Sequence, residues 1–138
     1  MKIWLAVVAS LLLIPAVAWL AEATDKNRIV VNWVCEDQKW DCSKVKTPII
    51  VVSRIVPQQY YGLYFSDEPY IFLTVGLSPE QAKETLVHET AHYVIDQLDL
   101  TMTKCDNEGL VREITARVLT VEIDETWRTQ YGCPVTPP

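Results

Sequence analysis

Apolar and polar positions divide the chain into three stretches. After Met1-Lys2, residues Ile3 to Ala21 carry no charge until Glu22. From Ile29 to Val75 the apolar residues come in short β-branched or aromatic runs, and from Ser78 onward they recur every three or four positions. The short runs predict strands at Ile29–Val34 and Ile49–Val52, each bounded by polar residues or Pro. Tyr60–Phe65 and Tyr70–Val75 flank Ser66-Asp67-Glu68-Pro69, two aromatic-rich runs around a polar turn, and predict a hairpin. Ser78-Pro79-Glu80-Gln81 supplies a hydroxyl cap, Pro at the first helical position and Gln at the third. Ala82, Leu86, Val87, Ala91, Val94 and Ile95 then carry a helix to about Leu98. Asp99 to Cys105 reads as a connector. A second helix is expected from about Asp106 to Trp127, with Leu110, Val111, Ile114, Val118 and Val121 on one face. Strands followed by helices, without alternation, predict an α+β domain: a small antiparallel sheet packed against two helices.

The uncharged N-terminal stretch changes where the chain is expected to work. A short positive start, an apolar core and the small-x-small exit Ala21-Glu22-Ala23 form a secretory signal peptide over residues 1–23. The alternative is an uncleaved membrane anchor, because the stretch approaches the ~20 residues needed to span a bilayer. Residues 24–138 then form one domain, secreted or periplasmic, with no membrane contact after cleavage and a monomeric state. Export also changes the reading of Cys35, Cys42, Cys105 and Cys133. An even number in a small exported domain predicts two disulfides, with three pairings open. Cys35–Cys42 would close a short loop, leaving Cys105–Cys133 to tie the chain end to the inter-helix connector. Zinc-ribbon spacing is absent. With 12 Lys+Arg against 18 Asp+Glu the charge is −6, which excludes a nucleic-acid partner, and no glycine cluster for cradling phosphate exists.

Candidate chemistry sits on the first helix. His88-Glu89-Thr90-Ala91-His92 is an H-E-x-x-H pattern that takes up both histidines of the chain. Residues four apart share a helix face, so His88 and His92 can reach one ion, and Glu89 lies to the side, where it can act on a water molecule. Zinc, one per chain, is the expected cofactor, with Glu89 as general base in hydrolysis of a carbonyl compound. A catalytic zinc takes three protein ligands. The metzincin extension fails, because Ile95 and Leu98 stand where Gly and His are needed. The third ligand is then an acid on the second helix, Glu113 or Glu108. These lie on opposite flanks of the apolar stripe, and helical geometry alone does not choose between them.

The combination resembles the gluzincin metallopeptidases, particularly their smallest members, the minigluzincins. The resemblance covers roughly residues 60–125. It rests on the hairpin strand Tyr70-Ile71-Phe72-Leu73, on Thr85-Leu86-Val87-His88-Glu89-Thr90-Ala91-His92, and on a helix bearing E-x-x-A at Glu113-Ile114-Thr115-Ala116. It implies that Glu113 is the third metal ligand. Asn107-Glu108-Gly109 is similar to the N-E-G of gluzincin aminopeptidases and keeps Glu108 as the alternative. The resemblance also implies that Tyr70–Val75 is a sheet edge along which an extended peptide lies, whereas Ile71 and Leu73 read as core. No third histidine can hold a developing oxyanion, and Arg112, Arg117, Tyr93, Tyr60, Tyr61 and Tyr64 are unranked candidates. The expected function is that of a small exported zinc metallopeptidase acting on a peptide or protein substrate. The alternatives are a catalytically inactive zinc-binding module, or a disulfide-stapled structural or inhibitor protein.

Overall fold

The computed structural model describes residues 26–54, 56–57, 60–65 and 67–135. The expected signal peptide lies outside them. The fold is α+β, with three strands and four helices among the described residues, and the sheet is followed by the two long helices. No helix among the described residues is long and apolar enough to cross a membrane.

The first element corrects an expectation. Residues 26–38 form a helix, α1, where Ile29–Val34 reads as a strand. Val30, Val31, Val34 and Cys35 are buried while Ile29 and Trp33 are exposed, a helical spacing rather than an alternation. Each β-branched residue costs a helix roughly 0.5 kcal/mol relative to Ala. Burying a valine returns roughly 1.5–3 kcal/mol, so packing overrides the local preference. Lys39, at φ 56°, ends the helix, and the Trp40 N–H donates to the Cys35 carbonyl at 2.9 Å. The Cys35–Cys42 disulfide closes the loop beyond it.

The sheet contains β1 (Ile49–Ser53), β2 (Gly62–Phe65) and β3 (Tyr70–Thr74) in the order β1-β3-β2. The expected hairpin is present: β2 and β3 pair antiparallel with Leu63 opposite Phe72. The sheet as a whole is mixed rather than antiparallel, because β1 joins the far side of β3 in parallel, with Val51 opposite Phe72. A tight turn dictates which strand pairs within the hairpin, but nothing local dictates which edge β1 takes. This order also corrects the edge assignment. β3 is the central strand, paired on both sides, and β2 is the free edge nearest the long helices. Ile71 and Leu73 of β3 are buried against those helices, as expected.

Helix α2 (Pro79–Gln97) begins where expected. Ser78 Oγ accepts from the Gln81 N–H, and Gln81 Oε1 accepts from the Ser78 N–H. Its inward face, Ala91, Tyr93, Val94 and Ile95, forms the core with Val31, Val34, Ile71, Val111 and Ile114. Helix α3 (Lys104–Leu119) is capped by Thr103 and stops at Thr120, whose φ of 55° reverses the chain well before the expected end at Trp127. Trp127 instead opens the single turn α4 (Trp127–Gln130), and the Cys105–Cys133 disulfide ties the segment beyond it back to α3. Both disulfides match the pairing in which Cys35–Cys42 closes the short loop.

Candidate metal centre

Helices α2 and α3 pack face to face, and each contributes to one polar group inside the contact. From α2, His88 and His92 project one turn apart, with ring centroids 4.9 Å apart. From α3, Glu108 is 5% exposed and presents its two oxygens to the two rings. His88 Nε2 lies 3.4 Å from Glu108 Oε1, and His92 Nε2 lies 3.0 Å from Glu108 Oε2. One ligand atom from each residue falls within 4.8 Å of the others. Two ligands bound at ~2.1 Å to a tetrahedral zinc stand ~3.4 Å apart, so this donor set fits such an ion.

The surroundings of His92 strengthen that fit. Its Nδ1 lies 2.6 Å from Asn107 Oδ1, while Nε2 faces Glu108. An amide oxygen only accepts, so Nδ1 carries a proton and Nε2 is the nitrogen left to meet a cation. Tyr64 stacks on the same ring at 5.4 Å and holds its plane. Burial works against protonation of His92, but the hydrogen bond and charge of Glu108, with Glu89 and Asn107 behind them, raise its pKa above the ordinary value. Burial drives His88 the other way, to about 4, with the neighbouring His92 charge adding to the shift. For Glu108 burial favours the neutral acid, yet His92, His88 and Arg112 together outweigh it and lower the carboxyl to about 2. A carboxylate ionised at neutral pH beside the neutral His88 imidazole is a combination suited to binding a divalent ion.

Comparison of the chain with family models, curated proteins and solved structures returns no match.

Of the two acids proposed for the third position, the structure brings Glu108 to the histidines and leaves Glu113 apart. Glu113 is 54% exposed at its side chain and pairs with Arg117 at 3.6 Å. Helical rotation explains the difference. Glu108, Val111 and Thr115 are buried along one line of α3, and Glu113 falls on the opposite side of that helix. The E-x-x-A element therefore contributes Ile114 and Thr115 to packing rather than Glu113 to the group.

Glu89 stands beside the group without joining it. It lines a cleft of about 280 Å³ together with His88, Tyr60, Tyr61, Gly62, Gln81, Glu84, Thr85, Arg112, Gln130 and Tyr131. Burial raises its pKa to about 7, with the His92 charge opposing and Glu108 adding to the rise. Among the oxyanion candidates, Arg112, Tyr60 and Tyr61 share this cleft. Tyr93 donates its hydroxyl to the Lys46 carbonyl at 3.0 Å, Tyr64 is committed to His92 and Asp96, and Arg117 pairs with Asp37 on the outer face.

Three contributors were not singled out from the sequence. Asn107 adjoins Glu108 in the chain and orients His92. Tyr131 reaches the cleft from the segment that the Cys105–Cys133 disulfide ties to α3. Gly62 is the third: a Cβ there would meet Thr85 Cγ2 at 2.7 Å and Glu89 Cγ at 2.9 Å. A glycine inside a strand run is a signal of such close approach.

Proposed function

We propose that this chain is a small zinc-dependent peptidase of the gluzincin type, exported to an oxidising compartment. The reading rests on Glu89: a carboxyl outside the His88, His92 and Glu108 group, adjacent to His88 in sequence, in the wall of the same cleft, with a pKa of about 7. His88, His92 and Glu108 would hold the ion, with His92 oriented by Asn107. Bound zinc would supply a Lewis acid that polarises a carbonyl and lowers the pKa of water to ~7. Glu89 takes a proton from water as the water oxygen adds to the carbonyl carbon, then returns it to the departing amine nitrogen. A carboxyl poised near the working pH can do both. The free edge of β2 offers backbone hydrogen bonds to an extended peptide entering the cleft at Gly62. Two disulfides suit an oxidising environment.

Native mass spectrometry of the oxidised protein tests the metal, and cleavage of a random peptide library tests the reaction. One zinc per chain is expected in the wild type and in Glu89→Gln, and none in His92→Ala. Cleavage is expected in the wild type only. Equal cleavage by Glu89→Gln would refute the assignment of the base. A folded wild type that takes up no zinc would remove the reading at its root.

A further inference from the structure

Hydrolysis of an amide places negative charge on the carbonyl oxygen, and a cleft that carries out this chemistry needs donors fixed in advance where that charge develops. Apart from Arg112, the cleft is lined by neutral groups and by the acids Glu84 and Glu89, which makes Arg112 the permanent cation among its lining residues. Three contacts fix the guanidinium. Its Nε donates to Glu108 Oε1 at 2.7 Å, its Cζ lies 5.3 Å from the centre of the Trp127 ring, which is 2% exposed, and it hydrogen-bonds the Tyr131 side chain. Glu108 Oε1 is also the oxygen 3.4 Å from His88 Nε2, so the guanidinium adjoins the metal-binding group itself. An arginine has five N–H donors in a rigid fork, and the bonds to Glu108 and Tyr131 account for two. Of the tyrosines of the cleft, Tyr60 and Tyr61 are about half exposed, and Tyr131 is hydrogen-bonded to Arg112 itself.

The geometry points to Arg112 as the oxyanion donor of the cleft, a catalytic residue whose Nη groups hold the carbonyl oxygen of a peptide substrate while Glu89 handles the proton. This rests on the peptidase reading above. In the step, the water oxygen bonds to the carbonyl carbon, the C=O π pair moves onto oxygen, and Glu89 receives the water proton. Arg112 donates hydrogen bonds and keeps its own protons. The C–N bond then breaks, its electron pair leaves with nitrogen, and Glu89 returns the proton there.

The test uses the oxidised, zinc-loaded full domain, with inorganic phosphate as a tetrahedral oxyanion probe titrated by calorimetry, and with peptide-library hydrolysis beside it. Arg112→Gln is expected to keep one zinc per chain, to bind phosphate at least tenfold more weakly, and to lose ~10²–10³-fold in kcat with KM little changed. Arg112→Lys retains the charge and a partner for Glu108 should the Gln variant misfold. It is expected to recover part of both losses. Wild-type phosphate affinity in a zinc-loaded, folded Arg112→Gln or Arg112→Lys would overturn the proposal, as would no phosphate binding by the wild type. So would losses that follow zinc content, because Arg112 would then only support Glu108. A wild type that binds phosphate through Arg112 yet cleaves no peptide would refute the peptidase reading and leave the oxyanion site standing.

Discussion

Adding one methyl group at Gly62 gives a sharp test of how the cleft is built. Gly62 opens β2 where the strand crosses α2, and an alanine Cβ would stand 2.7 Å from Thr85 Cγ2, 2.9 Å from Glu89 Cγ and 3.2 Å from the Phe72 carbonyl oxygen. Carbon atoms rest at about 3.5–4.0 Å, so strand and helix must part by roughly 1 Å or Glu89 must swing away. Thr85 is buried and β-branched, and the Phe72 carbonyl belongs to the neighbouring strand, so neither yields easily. Overpacking of this kind costs about 1–3 kcal/mol. At about 4 °C per kcal/mol for a domain of this size, Tm should fall by roughly 4–12 °C. A base displaced by ~1 Å loses on the order of 10²-fold in rate. The clash falls on Thr85 and Glu89 and not on the ligand atoms, so zinc content should stay at one per chain. Thermal unfolding, native mass spectrometry and peptide hydrolysis on Gly62→Ala measure the three quantities. Wild-type Tm and rate together would refute the reasoning, since they would mean that β2 and α2 are further apart than described.

Further outcomes follow from the same geometry. Glu108→Ala should abolish zinc binding while Glu113→Ala, altered at an exposed position, should retain it; native mass spectrometry showing the reverse would return the third ligand to Glu113. In chelated protein, Glu89 has a folded pKa of about 7, above its ordinary 4.5, so the stability it contributes is full below 4.5 and is lost as pH rises through about 7. Glu108, lowered to about 2, behaves oppositely: its contribution is present above 4.5 and is lost as pH falls towards about 2. Urea midpoints should therefore decline less from pH 4.5 to 7 in Glu89→Gln than in the wild type, and parallel curves would contradict the assignment. Chelation should lower Tm of the oxidised protein, because an ion bound only by the folded state at 100 times its Kd adds about 2.7 kcal/mol; an unchanged Tm after demonstrated zinc loss would count against a site joining α2 to α3. Replacing both Cys105 and Cys133 by Ser should cost about 3.5 kcal/mol and the Cys35/Cys42 pair about 2.5 kcal/mol, from the sequence separations of 28 and 7. Chemical denaturation that ranks the pairs the other way would show that loop entropy does not govern them.

How far the molecule could be read from its sequence depended on whether the deciding interaction was local. Helix α2 was legible to within a residue at both ends, since Ser78, Pro79 and Gln81 act within one turn and the apolar stripe sets the length. The meeting of His88 and His92 on one face of α2 was legible for the same reason, and the β2–β3 hairpin through its turn. Helix α1 was not, because the β-branched side chains of Val30, Val31 and Val34 favour a strand until there is a core to bury them. The placement of Glu108 beside the histidines, and of Glu113 away from them, depended on the rotation of α3 against α2, set by Val111, Ile114 and their distant partners. Helix α3 also ended early, at a left-handed Thr120 that no glycine announces. The parallel placement of β1 is likewise a long-range decision.

The spacing of the site along the chain bears on how the molecule comes together. His88, His92 and Glu108, the group that could hold an ion, lie within one short span of the chain, on two helices joined by the short connector after Leu98. Closing so small a loop costs little entropy and is fast on the folding timescale. The walls of the cleft come from far away in sequence: Tyr60, Tyr61 and Gly62 precede α2, and Tyr131 follows α4, two residues before the cysteine bonded to Cys105. Capturing the ion is thus a problem of low contact order, while building the cleft is one of high contact order. Local contacts bring His88, His92 and Glu108 together, whereas the walls that surround Glu89 need contacts distant in sequence.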